Sequence, residues 1–269
     1  MKKHLLITVN EEQPTLNKLR YLHAFFAEPC DLGLTLFHVK RENSSASKGE
    51  KAIEKAQEWL SAEGCPKELV TVKIKESKAN VIEEIVREAH KGMYDAVVLG
   101  RRSFSWFEEL VEQSVSKEIL WGEIDFPVWV CRMPEIRSCR NVLLSVDGSP
   151  PSIRMADHVG FILGDKEKHK VTAIYVDSDE DHGETDEIFA RTLEALKANG
   201  VPEDMITTKI VKARKPADAI LKEAISERYA VVAMGKTGGS PSGMDKLFPG
   251  SVSTKLLRNV EDFSLWICK

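Results

Sequence analysis

The segment NVLLSVD at residues 141–147 decides the fold, because a close copy of it, HLLITVN, lies 137 positions earlier at residues 4–10. Both segments are short runs of β-branched and other apolar residues, which predicts two buried strands. Three further pairs of segments repeat in the same order at offsets of 135 to 137 residues: YDAVVLG (94–100) with YAVVAMG (229–235), SVSKEIL (114–120) with SVSTKLL (251–257), and FPVWVC (126–131) with FSLWIC (263–268). Four ordered matches at a nearly constant spacing predict a tandem duplication.

The two copies are predicted to form separate domains. A polar stretch with one proline, RMPEIRSC at residues 132–139, lies between them. A chain of 269 residues is also long enough for two domains of ordinary size. We therefore expect one domain at residues 1–134 and a second at residues 139–269.

Strands and helices are predicted to alternate within each copy. Further β-rich runs follow the first strand of each copy, and the segments between them place apolar residues at helical spacing. The expected helices cover residues 14–26, 48–62, 81–89, 153–163, 186–198 and 217–224. Alternation of this kind with continuous apolar strands predicts the α/β class, as two tandem, doubly wound, parallel five-stranded sheets. Ligands of such sheets bind at the carboxyl ends of the strands.

A glycine-rich loop follows the fourth strand of the second copy. In AMGKTGGSPSGMDKLFPGSVSTKLL (233–257), a strand ends at Met234 and a helix is expected to begin near Ser251. Backbone N–H groups of such a loop can face an anion, and the helix dipole favours negative charge there. The Ser251 hydroxyl can donate to the same phosphate. A flexible loop with Ser251 as a plain N-cap is the alternative interpretation.

An acidic turn follows the first strand of the same copy. Val146-Asp147-Gly148-Ser149 places a carboxylate at the strand end, where it can accept hydrogen bonds from ribose hydroxyls. Asp-Gly-Ser is also a common turn sequence. Because Asp147 and the glycine loop follow neighbouring strands, their combination favours nucleotide binding over a turn alone.

These motifs resemble the nucleotide-binding branch of the universal stress protein family, in which VDGS follows strand one and G-x2-G-x9-G-S/T follows strand four. The resemblance covers the whole chain twice and implies an adenine nucleotide alpha hydrolase-like fold. It also implies that the second domain binds ATP, or AMP or ADP, with Mg²⁺ bridging the phosphates and the backbone of Val176 at the adenine edge. The residues that it assigns to the nucleotide are Ser145, Val146, Asp147, Val176, Met234, Gly235, Lys236, Gly238, Gly250, Ser251 and Val252. Eleven residues separate Gly238 from Gly250, where the family pattern has nine.

The first copy departs from the motif in its chemistry. Asn10 stands where the aspartate is expected, Glu11 follows it, and Gln113 replaces the glycine before Ser114. A glutamine side chain crowds the approach of a phosphate, and nearby glutamates repel one. We expect this domain to keep the fold and to lack tight nucleotide binding. The alternative is that Arg101 and Arg102 grip an anion there.

Several other residues carry weaker expectations. Trp106 and Phe107 fill the vacated pocket or contact a partner, and Lys236, Lys246 and Lys255 can assist the phosphates. Trp129 and Trp266 fall on the last strand of each copy. In this family that strand often makes dimer contacts, so the resemblance implies an intramolecular pseudo-dimer and leaves a homodimer open.

Composition excludes several classes of protein. A net charge of −4 gives no global field for nucleic acid or anionic membranes. No apolar run is long enough for a signal peptide or a membrane span. Five cysteines without a CxxC pair read as reduced thiols of a cytoplasmic protein, and no zinc-type histidine spacing or calcium loop is present.

The function that these observations favour is an ATP-binding regulatory protein of the stress response, with the nucleotide in the second domain. No general base or arginine finger is evident, so no catalytic residue is assigned. Slow hydrolysis or self-phosphorylation on Ser251 stays open. A nucleotide-free interaction protein of the same family is the main alternative, and a slow ATP hydrolase is the weaker one.

Overall fold

The chain folds into two compact units, Met1–Arg137 and Ser138–Lys269, and each is described here by itself. The computed structural model describes residues 2–10, 12–26, 32–41, 48–77, 80–100, 124–131, 140–164, 166, 168–178, 185–235, 251–258 and 263–269. Within these residues, none of the helices has both the length and the apolar character that a membrane span needs.

The first unit contains one parallel sheet in the strand order β3-β2-β1-β4-β5. Each of the four neighbouring strand pairs runs parallel. Its described elements are β1 (His4–Thr8), α1 (Glu12–Phe26), β2 (Gly33–Arg41), α2 (Lys48–Ala62), β3 (Val70–Ser77), α3 (Val81–Gly92), β4 (Ala96–Gly100) and β5 (Val128–Cys131).

The second unit repeats this arrangement in the order β8-β7-β6-β9-β10, again with parallel neighbours. Its described elements are β6 (Val142–Ser145), α4 (Pro150–Leu163), β7 (Val171–Asp177), α5 (Thr185–Ala198), β8 (Ile206–Lys212), α6 (Pro216–Ser226), β9 (Val231–Gly235), α7 (Ser251–Arg258) and β10 (Ser264–Cys268). The predicted α/β class with two doubly wound, five-stranded parallel sheets is confirmed.

The helix ends differ from the sequence prediction where local chemistry extends them. Helix α1 begins at Glu12, before Pro14, because proline is tolerated in the first turn of a helix. Helix α3 continues to Gly92 and ends where Met93 takes the left-handed conformation, with a φ of 48°. Helix α4 begins at Pro150, with Ser149 as its N-cap.

The core of each unit lies along its central strands. Every residue of β4 and β9 is buried. Trp129 and Trp266 are fully buried at equivalent positions in the two repeats, where Trp129 stacks on Phe26 and Trp266 meets His158 edge-on. Burial of these strands on both faces accounts for their continuous apolar sequences.

The strand order reverses beside β1 in the first unit and beside β6 in the second. From β6 the chain moves outward to β7 and β8, and then returns to β9 on the other side of β6. In doubly wound sheets, ligands bind in the crevice at the carboxyl end of such a switch point. The fold therefore directs attention to the β6–β9 edge and to its counterpart at β1–β4.

Candidate functional site

The carboxyl ends of β6, β7 and β9 converge at the switch point of the second unit. Ser145, the last residue of β6, pairs with Ile174 of β7 on one side and with Met234 of β9 on the other. The Val146 N–H extends the contact by donating to the Ile174 carbonyl at 2.9 Å. The register brings these strand ends, on which four of the predicted site residues lie (Ser145, Val176, Met234 and Gly235), to one edge of the sheet.

The turn after β6 holds Asp147 in a defined position. The Asp147 Oδ1 atom accepts hydrogen bonds from the Ser149 N–H at 2.9 Å and from the Ser149 hydroxyl at 2.6 Å. In return, the Asp147 N–H donates to the buried Ser152 Oγ at 3.2 Å. Sequence reasoning missed that Ser152 helps to hold this turn. Its position in the first helical turn after the N-cap Ser149 could have indicated this role.

The Asp147 carboxylate keeps accepting capacity that the turn does not use. Its side chain is exposed, and the described hydrogen bonds all go to Oδ1. A carboxylate has about four lone-pair sites on its two oxygens. Asp147 therefore stabilises the turn and can still accept hydrogen bonds from a ligand, so the two interpretations of this residue are compatible.

Gly148 is required by the geometry of the same turn. Its φ is 77°, a backbone conformation that residues with a side chain rarely adopt. A Cβ atom at this position would also lie 2.8 Å from Cγ1 of Ile188 on α5. The first turns of α5 thus pack directly on the Asp147 turn and border the crevice.

The end of β7 supplies a second side of the crevice. Tyr175 is buried, whereas Val176 is half-buried. The chain is tied to β8 beyond this point, because the Ala213 N–H donates to the Asp177 carbonyl at 2.9 Å. Val176 thus lies two residues beyond Ile174, the last residue of β7 that pairs with β6. Its place at the adenine edge stays a prediction.

Gly235 ends β9 in close contact with the start of α4. A Cβ atom on Gly235 would lie 2.3 Å from the Ser152 nitrogen and 2.4 Å from the Pro151 carbonyl carbon. Only a glycine fits there, whatever the ligand. This position therefore has a packing role in addition to the binding role that the sequence suggests.

Three of the predicted phosphate-loop residues, Lys236, Gly238 and Gly250, lie outside the described residues. The chain is described again from Ser251, which begins α7 as predicted, with Val252 half-buried beside it. The residues of the first repeat that replace the motif or carry the alternative anion grip, Glu11, Arg101, Arg102, Trp106, Phe107 and Gln113, also lie outside the described residues.

Lys255 is engaged by a carboxylate. Its ammonium forms an ion pair with Asp218 of α6, and this hydrogen bond lowers the pKa of the Asp218 carboxyl. Both side chains are partly exposed, so the pair adds little stability. A phosphate that bound Lys255 would therefore have to compete with the Asp218 carboxylate.

The described residues include polar groups that could bind a nucleotide, but they form no cluster of metal ligands. No cluster of three or more histidine, cysteine or acidic side chains in the described part of the chain could hold a metal ion. An exposed carboxylate at the end of β6 suits ribose hydroxyls, and a half-buried valine at the end of β7 suits an apolar ring. These residues fit the sugar and base of a nucleotide.

Lys18 is the residue in the first unit that sequence reasoning overlooked. It is 1% exposed in α1, and its ammonium donates to the Thr8 carbonyl at the end of β1. The repeat aligns Lys18 with Met155, which is fully buried. A lysine opposite a core methionine was the signal that could have identified it.

Comparison with known proteins gives one family for both repeats. The profile of the Universal stress protein family matches residues 1–132 and again residues 138–262. No curated protein sequence matches the chain.

Similar solved structures share the fold of this chain. A universal stress protein from Archaeoglobus fulgidus DSM 4304 has a TM-score of 0.64 and 16% identity, covering 100% of this chain and 97% of its own. A functionally unknown protein from Pseudomonas aeruginosa PAO1 has a TM-score of 0.58 and 14% identity, covering 99% of this chain and 92% of its own.

A universal stress protein in complex with cAMP covers only 48% of this chain and 95% of its own, with a TM-score of 0.39 and 21% identity. That likeness carries no conclusion about the ligand of this chain. The family match rests on different ground, because it spans both repeats and nearly the whole sequence. The chain belongs to the universal stress protein family.

Proposed function

We propose that this protein is a nucleotide-responsive regulator of the stress response whose second unit binds an adenine nucleotide, ATP in the first place. The observation that supports this most directly is the Asp147 carboxylate, which is exposed at the switch point and keeps one oxygen outside its own turn. The family membership and the glycine-rich sequence after β9 point in the same direction.

In this proposal, different residues of the second unit bind the ribose, the base and the phosphates. Asp147 accepts hydrogen bonds from the ribose hydroxyls, and the backbone near Val176 lies at the adenine edge. The segment from Gly235 to Val252 holds the phosphates through backbone N–H groups and the Ser251 hydroxyl. Bound Mg²⁺ would offset the phosphate charge, with its ligands coming mainly from phosphate and water, as is usual for this ion.

The first unit is proposed to lack this nucleotide site. Asn10 is exposed at the position equivalent to Asp147, and an amide is a weaker acceptor for ribose hydroxyls than a carboxylate. The pairing of the two units as an intramolecular pseudo-dimer also stays a proposal. It rests on the two family matches.

The test is a calorimetric titration of ATP with Mg²⁺ into the wild type and three variants. Asp147→Ala removes the carboxylate, whereas Asp147→Asn keeps an acceptor for the Ser149 N–H and so preserves part of the turn. A hydrogen bond to a charged group is worth about 1.5–3 kcal/mol, so both variants should lose roughly tenfold or more in affinity. Asn10→Ala should bind as the wild type does.

Two results would overturn the proposal. If ATP, ADP and AMP all fail to bind the wild type, and none co-purifies with it in a mass spectrum under gentle conditions, the nucleotide-free interaction protein becomes the better description. If Asn10→Ala loses as much affinity as Asp147→Ala, the site belongs to the other unit.

A further inference from the structure

The carboxyl ends of β1 and β4 in the first unit enclose a buried positive charge. Lys18 is 1% exposed, and its chain passes Gly100, where an added Cβ would lie 3.7 Å from Lys18 Cδ. The ammonium donates to the Thr8 carbonyl and lies 3.4 Å from Thr8 Oγ1. This is the switch point of the sheet, where doubly wound folds bind their ligands.

The ammonium has no opposite charge among the described residues. Both of its described acceptors belong to Thr8. Cys131, the last residue of β5, is the one titratable group that acts on it within the described chain, and burial raises the pKa of that thiol, which is therefore neutral. A buried charge without a counter-charge is costly, and in folded proteins such charges are normally paired.

The fold itself does not demand a lysine at this place. The equivalent residue of the second repeat is Met155, which is fully buried. Burial lowers the pKa of Lys18 to about 8, so the side chain is still mainly protonated at pH 7. The first repeat thus keeps, at some cost in stability, a charge that the second repeat does without.

The strands around Lys18 also differ from their counterparts. The ladder between β1 and β4 ends with the pair Ile7–Val98, whereas the ladder between β6 and β9 continues to Ser145–Met234. Thr8 is the counterpart of Ser145 in the repeat. The ladder between β1 and β4 therefore ends one residue pair earlier than the ladder between β6 and β9, at the residue whose carbonyl receives the ammonium. At this place the Thr8 hydroxyl donates to the Val98 carbonyl of β4 at 3.2 Å.

We infer that the first unit binds a small oxyanion, of the size of inorganic phosphate, at the β1–β4 crevice with the Lys18 ammonium as its counter-charge. Lysine binds phosphate as a point charge, and Thr8 fixes the position of that charge. A whole nucleotide fits less well, because Asn10 offers no carboxylate for the ribose. The two units would then respond to different ligands.

The experiment observes Lys18 directly in full-length protein that carries ¹³C at the lysine ε-carbon. Its signal is assigned as the one that Lys18→Met lacks. Inorganic phosphate is titrated against chloride at constant ionic strength, with acetate as a second arm. We expect a saturable shift of the Lys18 signal with phosphate and a titration midpoint that rises by about one pH unit, which corresponds to roughly tenfold tighter binding to the protonated form. A response to acetate as strong as that to phosphate would change the ligand class from phosphate to carboxylate and would contradict the stated preference.

Two controls separate this site from the proposed nucleotide site. In Asp147→Ala the phosphate response of Lys18 should persist, and in Lys18→Met the binding of ATP to the second unit should persist. Phosphate should raise the melting temperature of the wild type more than that of Lys18→Met, a variant that introduces the residue already accepted in the other repeat. The inference is wrong if phosphate moves the Lys18 signal no further than chloride does, or if Lys18→Met gains the same thermal shift.

Discussion

At the scale of single residues, the two repeats bury different residue types at one helical position. Lys18 and Met155 lie at equivalent places in α1 and α4, and both are buried. The methionine contributes apolar burial, whereas the lysine must be desolvated to take up its place. A residue that costs stability and is not required by the fold is a candidate for function.

Replacing Lys18 by methionine should stabilise the first unit in phosphate-free buffer. The pKa of Lys18 is lowered from 10.5 to about 8, and each pKa unit corresponds to about 1.4 kcal/mol, so the protonated side chain costs the folded state about 3 kcal/mol at neutral pH. The variant loses the hydrogen bond that the ammonium donates to the Thr8 carbonyl, which is worth about 1.5–3 kcal/mol, so we expect a net gain of at most about 1.5 kcal/mol at pH 7. Urea unfolding of both proteins measures it.

The same pair of proteins should differ in its pH dependence. Between pH 8 and 10.5 the unfolded chain holds a proton on Lys18 that the folded chain has released, so the stability of the wild type rises with pH in this window. Lys18→Met lacks this contribution. Its advantage over the wild type should therefore shrink as the pH is raised from 7 to 10, and an advantage that stays constant would show that the lysine is not buried in its charged form.

At the scale of secondary-structure elements, the approach of the first helix to the fourth strand differs between the repeats. Helix α4 comes so close to β9 that a Cβ on Gly235 would lie 2.3 Å from the Ser152 nitrogen. At the equivalent Gly100 of β4, the nearest atom to such a Cβ is Lys18 Cδ at 3.7 Å. The same residue type thus has a packing role in one repeat only.

Alanine at these two glycines should therefore give opposite outcomes. Gly235→Ala forces the backbone of α4 to move and should cost the second unit on the order of 1–3 kcal/mol. Gly100→Ala meets only ordinary van der Waals contact, and its effect should lie within about 1 kcal/mol of zero. Urea unfolding, with hydrogen exchange of each unit to locate the change, measures both. Equal losses would mean that the glycines serve some common role other than packing.

The elements were largely predictable from the sequence, because their signals are local. The repeat and the apolar runs predict the ten strands of the described residues, and α2 begins and ends at Lys48 and Ala62 as expected. The turn at Asp147 was also predictable, since its sequence motif is contiguous, whereas the role of Asp147 toward a nucleotide stays a prediction. The burial of Lys18 was not predictable, because a lysine between helical leucines is normally exposed. Only the packing of α1 against the end of β1 shows that this lysine is buried. The packing role of Gly235 likewise depends on a contact between distant segments.

At the scale of the whole molecule, the two units keep an equivalent ion pair on β3 and β8 and differ near the carboxyl ends of their inner strands. In the middle of β3, Lys73 pairs with Glu88 at 2.5 Å, and in the middle of β8, Lys209 pairs with Glu223 at 2.7 Å. A tyrosine precedes the fourth strand of both units, and the Tyr229 hydroxyl donates to Thr172 at 3.0 Å. The two units thus keep this lysine–glutamate pair, whereas they differ near the strand ends, at Lys18 against Met155 and at Asn10 against Asp147.

A nucleotide should therefore protect only one of the two units. Bound ligand at 100 times its dissociation constant stabilises a folded state by about 2.7 kcal/mol, provided that it does not bind the unfolded chain. With ATP and Mg²⁺, amide hydrogen exchange should slow at residues 142–153 and 231–235, which flank the switch point of the second unit. Exchange at residues 4–10 and 96–100 should change little, because Asn10 replaces the acidic residue there. Asp147→Ala supplies the control, since it should remove the protection while leaving the exchange of the first unit as it was. Protection of both units in the wild type, or of the first alone, would contradict the division of ligands between the repeats.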